Sequence, residues 1–127
     1  MNSQFTPVRP VSTPAPYQGG KRALAPKIVE RINRVPHKLY VEVFVGMGGV
    51  FFKRDHQPQA EVINDKSGDV VNLFRILQRH YVPFMDFLRY QLTSRKEFER
   101  LVNVDPVTLT TAKKYSHALT SSGYRTR

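Results

Sequence analysis

Apolar positions change their spacing several times along the chain, and each change marks an element. From Leu39 to Val45 they are nearly continuous, with Glu42 as the charged exception, as expected of a strand buried on both faces of a parallel sheet. The run stops on Gly46-Met47-Gly48-Gly49. Gly48 to Arg54 then predicts a short helix ended near Pro58, with Phe51 and Phe52 as core residues. A second short run, Glu61-Val62-Ile63, ends on Asn64 and Asp65 and predicts strand two over Glu61–Asn64. Upstream, Leu24, Ile28 and Ile32 recur at four-residue steps between Lys21 and Asn33, one stripe of a helix that Pro36 ends. Downstream, Val70, Leu73, Phe74 and Leu77 follow the i, i+3, i+4, i+7 pattern of a helix from Asp69 to His80. Pro83 interrupts and opens an apolar segment with Phe84, Phe87, Leu88 and Leu92. Ser94-Arg95-Lys96-Glu97 has the form of a capping box, starting a helix to about Val102. Met1 to Pro16, with Pro7, Pro10, Pro14 and Pro16 among Ser, Thr and Gln, predicts a disordered lead-in.

A strand, a glycine turn, a crossover and an acid at the tip of a second strand make the layout of a nucleoside-binding α/β half-domain. Asp65 stands about twenty residues past Gly46, the distance that layout needs. Glycines let the backbone pass close to a ligand where a Cβ would collide, and a carboxylate accepts hydrogen bonds from both ribose hydroxyls. A dinucleotide fingerprint would need a third glycine three residues after Gly48, and Phe51 holds that place. No Gly-Lys-Ser/Thr follows the turn, so a P-loop is excluded. The pattern suits an adenosine without a pyrophosphate. S-adenosylmethionine fits it, with a ribose for the acid, an adenine for an apolar slot and a charged amino-acid end.

Charge narrows the partners. Among 127 residues, 20 are Lys or Arg and 10 are Asp or Glu, a net charge of +10 that favours a polyanion through counterion release. The length allows at most one domain. With about 30 residues per βαβ unit, it holds two recognisable strands rather than a complete Rossmann-type sheet. There is no cysteine, hence no disulfide or thiolate metal site, and His37, His56, His80 and His117 have no ligand-like spacing. No stretch reaches the roughly 18 apolar residues of a membrane span, and the N-terminus lacks a secretory core, so the cytoplasm is the expected compartment.

A further segment points to a family. Pro16-Tyr17-Gln18-Gly19-Gly20-Lys21-Arg22 precedes the first helix. Its pairing with Tyr40-Val41-Glu42-x-Phe44-Val45-Gly46-x-Gly48-x-Val50-Phe51-Phe52, then Ile63-Asn64-Asp65, resembles the D12 class of adenine-N6 DNA methyltransferases, the Dam-like enzymes. The resemblance runs from about Tyr17 to about Thr110. It implies an α/β fold, a partial Rossmann-like S-adenosylmethionine-dependent methyltransferase sheet with the start of a helical DNA-recognition region. By position it implies cofactor contacts from Tyr17, Gly19, Gly20 and Lys21, from Phe44, Gly46 and Gly48, and from Asp65 on the ribose. Glu42 is either a partly exposed strand position or, by the resemblance, a carboxylate near the ligand's positive end. Val43 replaces the proline usual after that glutamate, which implies a strand one residue longer. The expected organisation is a lead-in over 1–16, a partial cofactor domain over 17–80, the start of target recognition over 81–110, and an unmatched, disordered tail over 111–127. Arg75, Arg79, Arg89, Arg95, Lys96 and Arg100 decorate the later helices, either as solvated faces or as phosphate contacts to double-stranded DNA.

The family's Asp-Pro-Pro-Tyr element, which holds the adenine amino group, has no counterpart. Asp105-Pro106 is followed by Val107 and Thr108, and in the resemblance it aligns with a turn leading into a recognition helix. The expectation is the N-terminal part of an adenine methyltransferase, inactive alone. Two alternatives remain: a stand-alone basic DNA-binding module, and a subunit completed by a second chain.

Overall fold

The computed structural model describes residues 5–90 and 94–108. The chain divides into two compact units, one up to Lys66 and one from Ser67 onward.

The first unit holds the strands. Strand β1 (Thr6–Pro7) precedes helix α1 (Ala25–Asn33), strand β2 (Leu39–Glu42), a 3₁₀ turn (Phe51–Lys53), strand β3 (His56–Gln57) and strand β4 (Ala60–Ile63). Strands β2 and β4 run parallel, with Leu39 opposite Ala60, Tyr40 opposite Glu61, Val41 opposite Val62 and Glu42 opposite Ile63. The helix expected after Gly48 is limited to the three-residue 3₁₀ turn. In α1, Ala25 and Val29 are buried against Val50, with Ile28 and Ile32 partly covered, while Leu24 is exposed. The buried stripe therefore lies one position further along the helix than the Leu24-Ile28-Ile32 reading.

The lead-in differs from its expectation. Strand β1 pairs antiparallel with β3, Thr6 opposite Gln57 and Pro7 opposite His56. Val8 N–H donates to Asp55 O at 2.9 Å and Val11 N–H to Phe52 O at 2.9 Å. Ala15 is buried, and the Phe5 ring sits edge-on to His37 with centroids 4.9 Å apart. Composition pointed to disorder because the segment has little to bury. Prolines, however, preset an extended backbone, and an edge strand tolerates their missing N–H. The donors of Val8 and Val11 supply the attachment.

Strand β2 also departs from its reading. It ends at Glu42 rather than Val45, and burial alternates: Tyr40 and Glu42 are buried, whereas Leu39, Val41 and Val43 are each about half exposed. Asn64 N–H donates to Glu42 O at 2.8 Å, but the next bond to Asn64 O comes from Val45 N–H at 2.9 Å. A regular parallel ladder would use Phe44. The extra residue is a bulge that leaves Phe44 67% exposed. Val43 thus does not lengthen the strand. Nor is the strand buried on both faces, since no layer covers the Leu39–Val41 face among the described residues.

Such a surface has a measurable consequence. Among the described residues β2 pairs only with β4, and beside its open edge lie the exposed apolar side chains of Leu39, Val41 and Val62. Open edges flanked by apolar surface pair with other chains. The protein is expected to self-associate with rising concentration in sedimentation velocity, and Val41→Lys to suppress it. A wild-type chain that stays monomeric throughout would contradict this.

The second unit is helical: α2 (Gly68–Arg79), α3 (Tyr81–Arg89), α4 (Arg95–Val102) and a 3₁₀ turn (Pro106–Thr108). Ser67 caps α2 and Ser94 caps α4, the latter accepting from Glu97 N–H at 3.1 Å. The Glu97 carboxylate pairs with Arg100. Pro83 does not break the chain but sits in the first turn of α3, where its missing N–H would have no helical partner. Val70, Leu73 and Ile76 of α2, Phe84 of α3 and Leu101 of α4 are buried. Among the described residues no helix is long and apolar enough to cross a membrane.

Candidate functional site

The bulge after β2 shapes the site. By turning Phe44 out of the ladder, it presents the Phe44 carbonyl to Lys21, whose Nζ donates to it at 2.7 Å. The same ammonium donates to Glu42 Oε1 at 2.6 Å. Glu42 is 7% exposed, and a carboxylate so buried needs partners. Its other oxygen, Oε2, accepts from the Tyr40 hydroxyl at 2.8 Å. Tyr40 and Glu42 share one face of β2 because strand side chains alternate with period two.

The glycine turn follows. Val45, Met47 and Val50 are buried and anchor it, while Gly48 N–H closes it on Val45 O at 2.8 Å. Gly46 has φ +53°, in the left-handed region that side chains with a Cβ avoid. A Cβ at Gly46 would also lie 3.1 Å from the Tyr17 ring. Its N–H donates to Asp65 Oδ2 at 2.8 Å. Upstream, Gly20 N–H donates to Tyr17 O at 3.1 Å, closing the turn that carries Gly19 and Lys21.

The fold thus links the separate sequence segments. Tyr17 lies against Gly46, Gly46 holds Asp65, and Lys21 ties the Gly19-Gly20 turn to Glu42 and Phe44. Gly48 belongs to the Gly46 turn, and a Cβ on Gly19 would face open space. Of the two readings of Glu42, partial exposure is set aside by its burial and its ion pair. An open groove of about 540 Å³ between α1 and β2 reaches Lys21 and Glu42, and its floor includes Ile28, Ile32, Leu39 and Val41. Gly46 and Asp65 do not line it. The arrangement offers an ammonium and a carboxylate 2.6 Å apart next to a Cβ-free turn with a second carboxylate.

Two contributors escaped the sequence reading. The Tyr40 hydroxyl was legible in principle, since period two places it beside Glu42. Arg54 gave no signal. It is 4% exposed, ion-paired with Glu61, and its guanidinium carbon lies 3.8 Å from the Tyr40 ring centroid and 4.9 Å from that of Phe51. Asp105, set aside as catalytic, accepts from Val107 N–H at 2.9 Å through its carboxylate and so caps the final turn. The tail over 111–127 lies outside the described residues.

The fold defines a small mixed helix-and-strand protein. The chain belongs to the family of D12 class N6 adenine-specific DNA methyltransferases, whose model matches residues 17–117. The match extends past Thr110, where the sequence likeness was expected to stop. No curated protein and no solved structure matches the chain.

Proposed function

We propose that this chain is the S-adenosylmethionine-binding part of a DNA adenine-N6 methyltransferase with a Rossmann-like sheet, acting in the cytoplasm on double-stranded DNA. The observation that carries the reading is the Gly46 N–H to Asp65 Oδ2 bond, which joins the glycine turn to the acid after β4. When bound, S-adenosylmethionine supplies an electrophilic methyl group. Lys21 would hold the carboxylate of its amino-acid end, Glu42 its ammonium, and Asp65 its ribose. The Gly46 turn would let the ligand approach the backbone, and Tyr17 and Phe44 offer apolar surface beside it. Cations on α2, α3 and α4, among them Arg75, Arg79, Arg89 and Arg100, would contact phosphate and set position on DNA without reading its sequence.

Titration calorimetry tests this reading. With Lys21 and Glu42 at an open groove and Asp65 outside it beside the glycine turn, affinity is expected around millimolar, about −4 kcal/mol, and Asp65→Ala should abolish the measurable heat. Micromolar binding untouched by Asp65→Ala would place the ligand elsewhere. A second reading is favoured by the open edge and uncovered apolar face of β2: a second polypeptide completes the sheet. Methyl transfer that appears only on co-expression with a partner would support it.

A further inference from the structure

We infer that Tyr40 is a positioning residue for the amino-acid end of the cofactor: gripped by Arg54, it fixes the Glu42 carboxylate in the orientation that pairs with Lys21. The inference rests on the S-adenosylmethionine reading of the site and adds to it a residue outside the ligand-contacting set.

The geometry is a chain of single contacts. Arg54 pairs with Glu61, which stands opposite Tyr40 across the β2–β4 ladder. Its guanidinium lies over the Tyr40 ring, with Phe51 also in reach, so one face of the phenol is covered by a stacked cation. The Tyr40 hydroxyl then donates to Glu42 Oε2 at 2.8 Å. With one oxygen fixed, the other is aimed at Lys21 Nζ, 2.6 Å away. Burial and the hydrogen bond to Glu42 push the Tyr40 phenol above its ordinary pKa, so it stays protonated and remains a donor.

Arg54 itself argues for a role beyond packing. Its Nε and Nη1 are buried and find no hydrogen-bond partner among the described residues. Unpaired buried donors are costly, and native proteins carry few of them. A hydrophobic residue between Tyr40 and Phe51 would fill the space without that cost. A planar cation does what an apolar side chain does not: it stacks on the phenol while holding Glu61, locking the ring in both tilt and position.

Tyr40→Phe tests the inference because it keeps the ring under Arg54 and removes only the hydroxyl. Binding is followed by heteronuclear NMR titration with two ligands: S-adenosylhomocysteine, which carries the amino-acid end, and 5′-methylthioadenosine, which lacks it. Tyr40→Phe is expected to weaken S-adenosylhomocysteine about tenfold, the worth of one charge-assisted hydrogen bond, and to leave 5′-methylthioadenosine unchanged. Equal weakening of both ligands, or of neither, overturns the inference.

A ligand-free measurement separates this from the cofactor reading. Reductive methylation of Lys21 should quicken about threefold in Tyr40→Phe as its ion pair loosens, with Lys27 and Lys53 unchanged as internal controls. If the wild type binds neither ligand, the cofactor reading falls, and the Lys21 rate still decides whether Tyr40 positions the pair. An unchanged Lys21 rate overturns the positioning role. Should Tyr40→Phe fail to fold, Arg54→Lys keeps a charge for Glu61, loses the planar stack, and is read in the same way.

Discussion

Labelled methyl groups are expected to stay on the cofactor when the 127-residue chain is incubated alone with duplex DNA. The adenine N6 lone pair is delocalised into the ring, which makes the amino group a poor nucleophile. Transfer requires the base to leave the helix and an apolar pocket to hold it. It also requires acceptors for the amino hydrogens, so that charge does not build up on nitrogen as the new bond forms. In the family resembled, the Asp-Pro-Pro-Tyr element supplies the acceptors and the stacking ring. Here the sequence has one Asp-Pro pair, and the Asp105 carboxylate accepts from Val107 N–H in a turn, with no aromatic residue next to it. Lys21, Glu42 and Asp65, proposed above to hold the cofactor, supply no base pocket. Radiometric assay of DNA recovered after extended incubation decides the matter. Turnover clearly above a no-protein background would show that another group performs the adenine chemistry.

The largest stability effect is expected at Gly46. Gly46→Val should destabilise the first unit by about 2–4 kcal/mol, the sum of the left-handed backbone penalty and of crowding against a packed ring. At φ +53° a β-branched residue is strained, and its Cβ would press on Tyr17 from 3.1 Å. Neither neighbour yields easily. The Tyr17 backbone is tied to Gly20, and Gly46 N–H is committed to Asp65 Oδ2. The substitution therefore displaces Tyr17, opens the Asp65 contact, or both. Gly68→Ala is the control: a Cβ there meets nothing within 4 Å, and the residue begins α2. Alanine is the better helix former, so Gly68→Ala should be neutral or stabilising by up to about 1 kcal/mol. Urea denaturation followed by far-ultraviolet circular dichroism gives both values. Equal midpoints for Gly46→Val and wild type would mean that the turn is not built as described.

The glycine turn, the acid after β4 and the Gly-Gly-Lys segment were legible in the sequence because each depends on local rules. A left-handed turn needs glycine, a strand end sets where the next acid falls, and an apolar run stops where the chain must reverse. The capped start of α4 was legible for the same reason, since a serine caps a helix through its own neighbours. Other features rest on relations between distant segments. Prolines and small polar residues predict a lead-in without a core, yet β1 is attached through backbone donors that carry no side-chain signature. A continuous apolar run does not say which of its faces is covered, and in β2 one face remains open among the described residues. The bulge at Phe44 arises from a mismatch with Asn64, twenty residues away, that no reading of β2 alone contains. Arg54 reads as a surface cation until packing encloses it between Tyr40 and Phe51. The sequence by itself determined where the glycine turn falls and how far the acid stands from it, because backbone conformation and spacing are written locally. Only the tertiary structure decided which groups hold one another, because a buried charge takes its partners from whatever the fold brings within hydrogen-bond reach.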